Sequence, residues 1–298
     1  MAEQKARGSI IYELLIVILG ATLVASILYP KKITEQEQRN MEISRYRMEQ
    51  IQKAALQYQK YNGTYSDTLE KVFEFIRTSP EYQHYVDSVI VGGLDSIITE
   101  LEEFKTKQNE IAAAIPSATD STMIDSLTEL QTEIKLESRR LAGYVEYVHD
   151  RMKNLPNTPV DDLRAVLVII DSKKFTLDMD IVKNAIESGQ QEVAQRGSGD
   201  VIETIESTIK QFERVKTLLP RYRGSSLDSI GLCPTTHKPF RLVHVDTSVI
   251  KFLNIYSPID SADIAMVEHD FLKSKIGGMK LTNHGRIENG ERSWAAQQ

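Results

Sequence analysis

The stretch RGSIIYELLIVILGATLVASILYPKK, residues 7–32, constrains how the rest of the chain can be arranged. Residues 9–29 are mostly apolar and carry one charge, Glu13. As a helix they rise about 31 Å at about 1.5 Å per residue, close to the hydrocarbon thickness of a bilayer. Lys5 and Arg7 stand on one side and Lys31 and Lys32 on the other, so flanking charge assigns no orientation. Glu13 is the anomaly: a carboxylate in lipid is costly and marks a function or a partner.

Beyond this stretch the composition is that of a folded protein. The 298 residues suffice for one large domain or two small ones, with 41% hydrophobic and 26% charged residues. A net charge of −6 argues against a general nucleic-acid binder, which would carry a basic face. Cys233 is the only cysteine, so no intramolecular disulfide can form.

Three readings of the first segment compete. A cleaved signal peptide fits poorly, because Glu13 interrupts the apolar region early and the best small-residue site, at residues 24–26, has Leu23 at its −3 position. A plain single-pass anchor would leave Glu13 at headgroup level. The third reading accounts for more of the residues. A short basic leader ending in Gly8, an apolar helix with Glu13 as its fifth residue and Pro30 as its twenty-second together resemble the N-terminus of type IV pilins and type II secretion pseudopilins. The ELLIVI run at 13–18 is similar to that family almost letter for letter, and YNGTYSDTLEKV at 61–72 resembles the pseudopilin stretch after the long helix. Ser9 departs from the pattern, since the first mature residue there is usually Phe. The resemblance implies cleavage between Gly8 and Ser9 by a prepilin peptidase, N-methylation, a kink at Pro30, and a register role for Glu13 against the α-amine of a neighbouring subunit. Pairing those two charges would remove both from lipid at once.

The apolar segment leads into more helix. Residues 33–61 contain neither Gly nor Pro, and Met41, Met48, Ile51, Ala55 and Tyr58 share one face. Asn62 and Gly63 are a stop signal. Residues 87–114 form a helical candidate weakened by Gly92 and Gly93. Pro116 breaks it, with Asp120 or Ser121 as the next N-cap. Residues 121–154 read as helix, with Leu127, Ile134, Leu141, Val148 and Leu155 repeating every seven residues. Leu130 and Tyr144 form a second stripe that Glu137 and Arg151 interrupt. After a connector at 155–163, AVLVII (165–170) and FTLDMDI (175–181) have the alternation of a β-hairpin. RGSG at 196–199 reads as a loop. Residues 200–219 read as an amphipathic helix carrying Val201, Ile205, Ile209, Phe212 and Val215 and ended by Pro220.

LCPTTHKPFRLVHVD, at 232–246, resembles a Cys-Pro-x-Thr-Gly-x-Pro-Tyr segment of some pilin-like proteins, with His237 for the Gly and Phe240 for the Tyr. Cys233-Pro234 invites a zinc reading, but a zinc site needs about four ligands and there is no second cysteine; a turn leading into a strand is expected instead. Residues 240–245 and 249–256 read as a hairpin, and 281–294 as a second strand pair turning at Asn289-Gly290. Trp294 is expected to cap a small core. Asp260, Asp263 and Glu268 are weighed as calcium ligands and not adopted. His237 and His244 lack ligand spacing. No phosphate-binding glycine loop, His-Glu-x-x-His or Gly-x-Ser-x-Gly occurs, so neither enzymatic activity nor a metal or cofactor is expected.

The expectation is an α+β fold: a long, kinked N-terminal transmembrane helix continuing into a head with a helical elaboration and a small antiparallel sheet. The segments are a leader at 1–8, the membrane half of the helix at 9–30, its outer half at 31–62, a helical elaboration at 63–220 and the sheet at 221–298. The resemblance implies a structural subunit of a type IV pilus or type II secretion pseudopilus, held in a bacterial inner membrane with its head in the periplasm. Its implied partners are other pilin-like subunits, the prepilin peptidase and an inner-membrane assembly platform. An uncleaved single-pass protein with a partner-binding helical domain is one rival. A membrane-tethered enzyme using His269 and Asp270 is another.

Overall fold

A computed structural model describes residues 7–118, 121–158, 163–164, 170, 175–223, 227–247 and 250–295, without the side chains of 7–11, 25, 121 and 220–223. The described chain is mostly helical with one small antiparallel sheet. It divides into two compact units, Met1–Leu69 with Asp228–Gln298, and Glu70–Leu227.

The first unit is organised by α1 (Arg7–Asn62), a single helix of 56 residues, about 84 Å long. Its most apolar 18-residue window has a mean hydropathy of 2.0 and is wholly unburied, so the helix is long and apolar enough to cross a membrane. Leu14 through Leu19 all stand exposed. Within this stretch Thr22 and Ser26 turn their hydroxyls back onto the carbonyls of Ile18 and Thr22, both at 2.7 Å, so the helix itself satisfies them. Helical backbone continues through Pro30, which lacks the N–H that would bond the carbonyl four residues earlier.

Past Pro30 the same helix acquires a buried face: Ser44, Met48, Ile51, Ala54 and Ala55, with Met41 and Tyr58 at its margin. α1 ends where Gly63 takes φ +77 and returns its N–H to the Gln59 carbonyl at 2.8 Å. A four-stranded meander lies on this half of α1: β1 (Arg241–Asp246), β2 (Lys251–Tyr256), β3 (Arg286–Glu288) and β4 (Glu291–Arg292). Arg241 pairs with Tyr256, Asp246 with Lys251, Ile255 with Ile287 and Ile287 with Arg292. Leu253, Ile255 and Ile287 point to the core. The β3–β4 turn falls at Asn289 (φ 50) and Gly290 (φ 84), the pair of positive angles a two-residue hairpin turn requires. Trp294 closes this core with the Arg45 guanidinium 5.5 Å above its ring.

The second unit holds α2 (Leu69–Thr78), α3 (Pro80–Val86), a π-helical turn at Asp87–Val91, α4 (Gly92–Ala114), α5 (Ser121–Lys153), α6 (Met179–Glu187) and α7 (Gln191–Arg223). Heptad stripes build its core. α4 and its flanks bury 90, 94, 97, 101, 104, 108, 111 and 115; α5 and the turn after it bury 124, 127, 131, 134, 138, 141, 145, 148, 152 and 155; α7 buries 194, 198, 201, 205, 208, 212, 215 and 219. Alternating steps of three and four keep one seam inward on each helix. Lys107 bridges Glu133 (3.0 Å) and Glu137 (2.7 Å), setting α5 antiparallel to α4. Lys105 meets Glu206 at 3.0 Å and Lys216 bonds Asp95, setting α7 antiparallel to α4 as well. A β-carbon at Gly93 would stand 2.9 Å from Val148, so this glycine brings α4 and α5 together.

Four expectations change. The intervening stripe of α5 is Ile124, Gln131, Ser138, Val145 and Met152 rather than Leu130 and Tyr144, because the true seam tolerates two polar residues. The hairpin at 165–181 fails over its second half. Asp178 caps the N-terminus of α6, accepting from Asp180 N at 3.1 Å, and Val182 and Ala185 are buried while Ile181 faces out. Phe175 packs edge-on against Phe104. Residues 165–169 and 171–174 lie outside the described residues, as does the candidate cap Asp120. RGSG at 196–199 is helical, because Ala194, Ser198 and Val201 occupy the buried seam and Leu177 packs against Gly197. Pro220 does not end α7, whose backbone stays helical to Arg223.

Gln108 and Gln131 face each other within the seam, with Gln108 Nε2 donating to Gln131 Oε1 at 3.2 Å. Gln108 Oε1 and Gln131 Nε2 are buried without a partner. Replacing both by Leu removes two unmet groups, so the double variant should gain about 1–3 kcal/mol in urea unfolding. A less stable double variant would show the pair to be a net contributor.

Candidate functional site

The residues singled out at the N-terminus all lie on α1. Gly8 and Ser9 form its first turns, Glu13 is exposed one turn later among Tyr12, Leu14 and Leu15, and Pro30 sits where the unburied half meets the half under the sheet. Glu13 is four residues past Ser9, one helical turn. The fold thus presents an apolar, unburied helix bearing one carboxylate close to its start.

A second constellation has no local sequence signal. Cys233 Sγ lies 4.0 Å from His284 Nδ1, and His284 Nε2 lies 2.7 Å from Glu37 Oε1. Thr235 Oγ1 donates to the same carboxylate at 3.1 Å and 3.3 Å. The three groups come from α1, from the turn before β1 and from the segment before β3, separated by 247 and 51 residues. Two arginines of α1 hold those segments in place. Arg45 Nε donates to the His284 carbonyl at 3.2 Å and Arg47 Nη1 to the Leu232 carbonyl at 2.6 Å.

The cysteine turn is tight. Cys233 N donates to the Lys238 carbonyl (2.9 Å) and His237 N to the Cys233 carbonyl (2.8 Å). His237 takes φ +56, a left-handed conformation that glycine adopts without strain. Burial pushes the Cys233 thiol up. The hydrogen bond from His284, the N–H groups of Thr236 and Thr235 and the Thr236 hydroxyl outweigh that and bring it to about 7. Burial pushes His284 down, but Cys233 and Glu37 outweigh it, and its pKa is raised.

A thiol, an imidazole and an orienting carboxylate in this order are the parts of a cysteine nucleophile. Access decides otherwise. Cys233 is 0% exposed and His284 1%. A cavity of about 200 Å³ opens beside Glu37 and His284, lined also by Thr34, Met41, Met279 and Lys280, on the carboxylate side of the ring and not at the sulfur. Nor do the three groups converge as metal ligands, because thiol and carboxylate occupy opposite ring nitrogens; among the described residues no such cluster exists. What the arrangement does is clamp the C-terminal segments onto α1.

The acidic residues considered for calcium are capping groups. Asp260 and Asp263 form a reciprocal box at the start of α8 (Ser261–His269), and Lys238 Nζ neutralises them, 3.2 Å from Asp260 and 2.8 Å from Asp263. Asp270 likewise caps the following turn by accepting from Lys273 N at 3.0 Å. His269 is exposed at the end of α8. In the second unit a cavity of about 620 Å³ sets Lys135 and Arg139 against Asp178 and Asp180. No family model, curated protein or solved structure matches the chain.

The clamp has a signed pH dependence. A raised imidazole contributes stability that is complete below its unfolded value near 6.5 and is lost as pH rises through its folded value. Glu37→Gln removes the carboxylate and keeps the shape. It should cost about 1–3 kcal/mol in thermal or urea unfolding near pH 6, and less as the pH is raised past the folded value of His284. A cost independent of pH would exclude a charged ring.

Proposed function

We propose that this chain is a pilin-like structural subunit, made as a precursor, cut between Gly8 and Ser9 and assembled through α1 into a type IV pilus or type II secretion pseudopilus filament. The observation that carries the reading is that one uninterrupted helix serves two surroundings. Its first half is apolar, unburied and bears Glu13 near its start, and its second half is the spine of a folded head. In lipid the first half is a membrane span; in a filament the same surface packs against neighbouring copies. The partners are other pilin-like subunits, a prepilin peptidase and an inner-membrane platform, with the head in the periplasm. Glu13 then sets register, because its burial is tolerable only opposite the free α-amine of a cleaved neighbour. No chemistry is required of the head.

The first test is the intact mass and first residue of the protein purified from its native membrane. A chain that begins at Ser9, with or without one methyl group, supports the proposal. A chain retaining residues 1–8 in a cell with an active prepilin peptidase overturns it in favour of a single-pass protein whose heptad bundle binds a partner.

A separate expectation concerns Glu13. The Glu13→Ala variant should insert into membranes as the parent does and fail to enter sheared filaments or cross-linked multimers. Parental assembly by that variant would remove the register role.

A further inference from the structure

The apolar surface of the first unit does not stop with α1. After α8 the chain forms a π-helical turn, Phe271–Ile276, that rests on α1. Gly277 sets its seat: a β-carbon there would stand 3.2 Å from Ile33 Cδ1 and 2.6 Å from the Lys273 carbonyl. From that point the chain climbs α1 toward the sheet. Met279 and Lys280 lie beside Thr34, Gln38 and Met41, and His284 reaches Glu37. The level of the turn is therefore known. Ile33 lies one helical turn past Tyr29, the last residue of the apolar run, or about 6 Å along the helix axis. That is the depth of the headgroup layer if the apolar run spans the hydrocarbon.

The side chains at this level fit that layer. Phe271 is 66% exposed, Leu272 58% and Ile276 43%, and Met266, on the helix packed against the turn, is 71% exposed. Clustered exposure of this kind marks an interaction surface, whereas single exposed apolar residues do not. The turn itself is basic, and the acids near it precede it or pair with lysines. In a chain of net charge −6, residues 271–280 hold Lys273, Lys275 and Lys280 and no acid, and Lys31 and Lys32 stand on α1 at the same height. Glu268 and Asp270 precede the turn, Asp270 capping it 3.9 Å from Lys273 Nζ, and Glu35 stands 3.8 Å from Lys31 Nζ. An apolar tip rimmed by lysines is the pattern of a segment lying in a bilayer interface.

We propose that Met266 and Phe271–Ile276 form an interfacial foot. Phe271 and Leu272 enter the boundary between headgroups and acyl chains, and Lys273 and Lys275 meet the phosphates of anionic lipids. The foot fixes the height and tilt of the head above the membrane before assembly. It rests on the reading of α1 as a membrane span.

The test uses the full chain in nanodiscs of equal parts phosphatidylglycerol and acyl-brominated phosphatidylcholine, one chain per disc. Three variants, Leu19→Trp, Phe271→Trp and Ile250→Trp, each carry the native Trp294 as a common background. Ile250 adjoins Lys251, whose Nζ reaches the Gly63 carbonyl at the far end of α1. Bromine should quench Leu19→Trp deeply and Phe271→Trp on the order of twofold above background, and leave Ile250→Trp at background. Adding Lys273→Gln and Lys275→Gln should lower the Phe271→Trp quenching in these discs and leave it unchanged in discs of phosphatidylcholine alone. Deep quenching at residue 19 with none at residue 271 overturns the foot while the span stands, the result also expected if a second protein chain covers this patch. No quenching at residue 19 overturns the span, and the foot with it.

Discussion

Everything in the first unit depends on one helix having to satisfy two solvents. Over its first half α1 offers aliphatic side chains in every direction, a surface that water disfavours and hydrocarbon accepts. Over its second half it has the opposite arrangement, one buried face and a charged remainder. The boundary falls near Pro30. Because backbone hydrogen bonding runs through that boundary, whatever holds the first half holds the spine of the head. The hydroxyls of Thr22, Ser26 and Thr34, each turned onto the carbonyl four residues earlier, let the helix carry polar residues without asking its surroundings for partners.

The head's β-structure is too small to stand alone. β3 and β4 have three and two residues, and a two-stranded ribbon of that size is marginal in water. Its stability comes from α1: Leu253, Ile255 and Ile287 pack on that helix, Arg45 and Arg47 hold the carbonyls of His284 and Leu232, and Glu37 holds the His284 ring. The Cys233–His284–Glu37 arrangement belongs to this attachment. In the second unit the organising interaction is the heptad seam shared by α4, α5 and α7, with charged pairs on its flanks and one glutamine pair within it.

Patterns whose physical cause lies within a few residues were legible. The apolar run and the stop at Asn62-Gly63 required only side-chain type and helix geometry. The seven-residue spacing from Leu127 to Leu155 required no more, nor did the positive-φ turn at Asn289-Gly290. Errors arose where tertiary packing overrode a local signal. Alternation in FTLDMDI reads as strand, but Asp178 can cap a helix and Val182 and Ala185 have a core to enter. Glycines in RGSG disfavour helix, yet Ala194, Ser198 and Val201 share the seam that continues to Leu219. Leu130 and Tyr144 read as the second stripe of α5, but the bundle buries Gln131 and Ser138 in its place.

The sequence by itself determined the long N-terminal helix, the heptad helix at Ser121–Lys153, the turns at Asn62-Gly63 and Asn289-Gly290 and the one carboxylate in an apolar run, because each follows from local periodicity, steric preference or transfer free energy. Only the tertiary structure decided that the unit built on α1 is discontinuous in sequence, with residues 70–227 forming a second unit of their own. It also decided that Glu37, Cys233 and His284 meet, and that the turn at Phe271–Ile276 rests on α1, with Gly277 against Ile33. Those groups are brought together by closure of long loops, which leaves no periodic trace in the residues that make the contact.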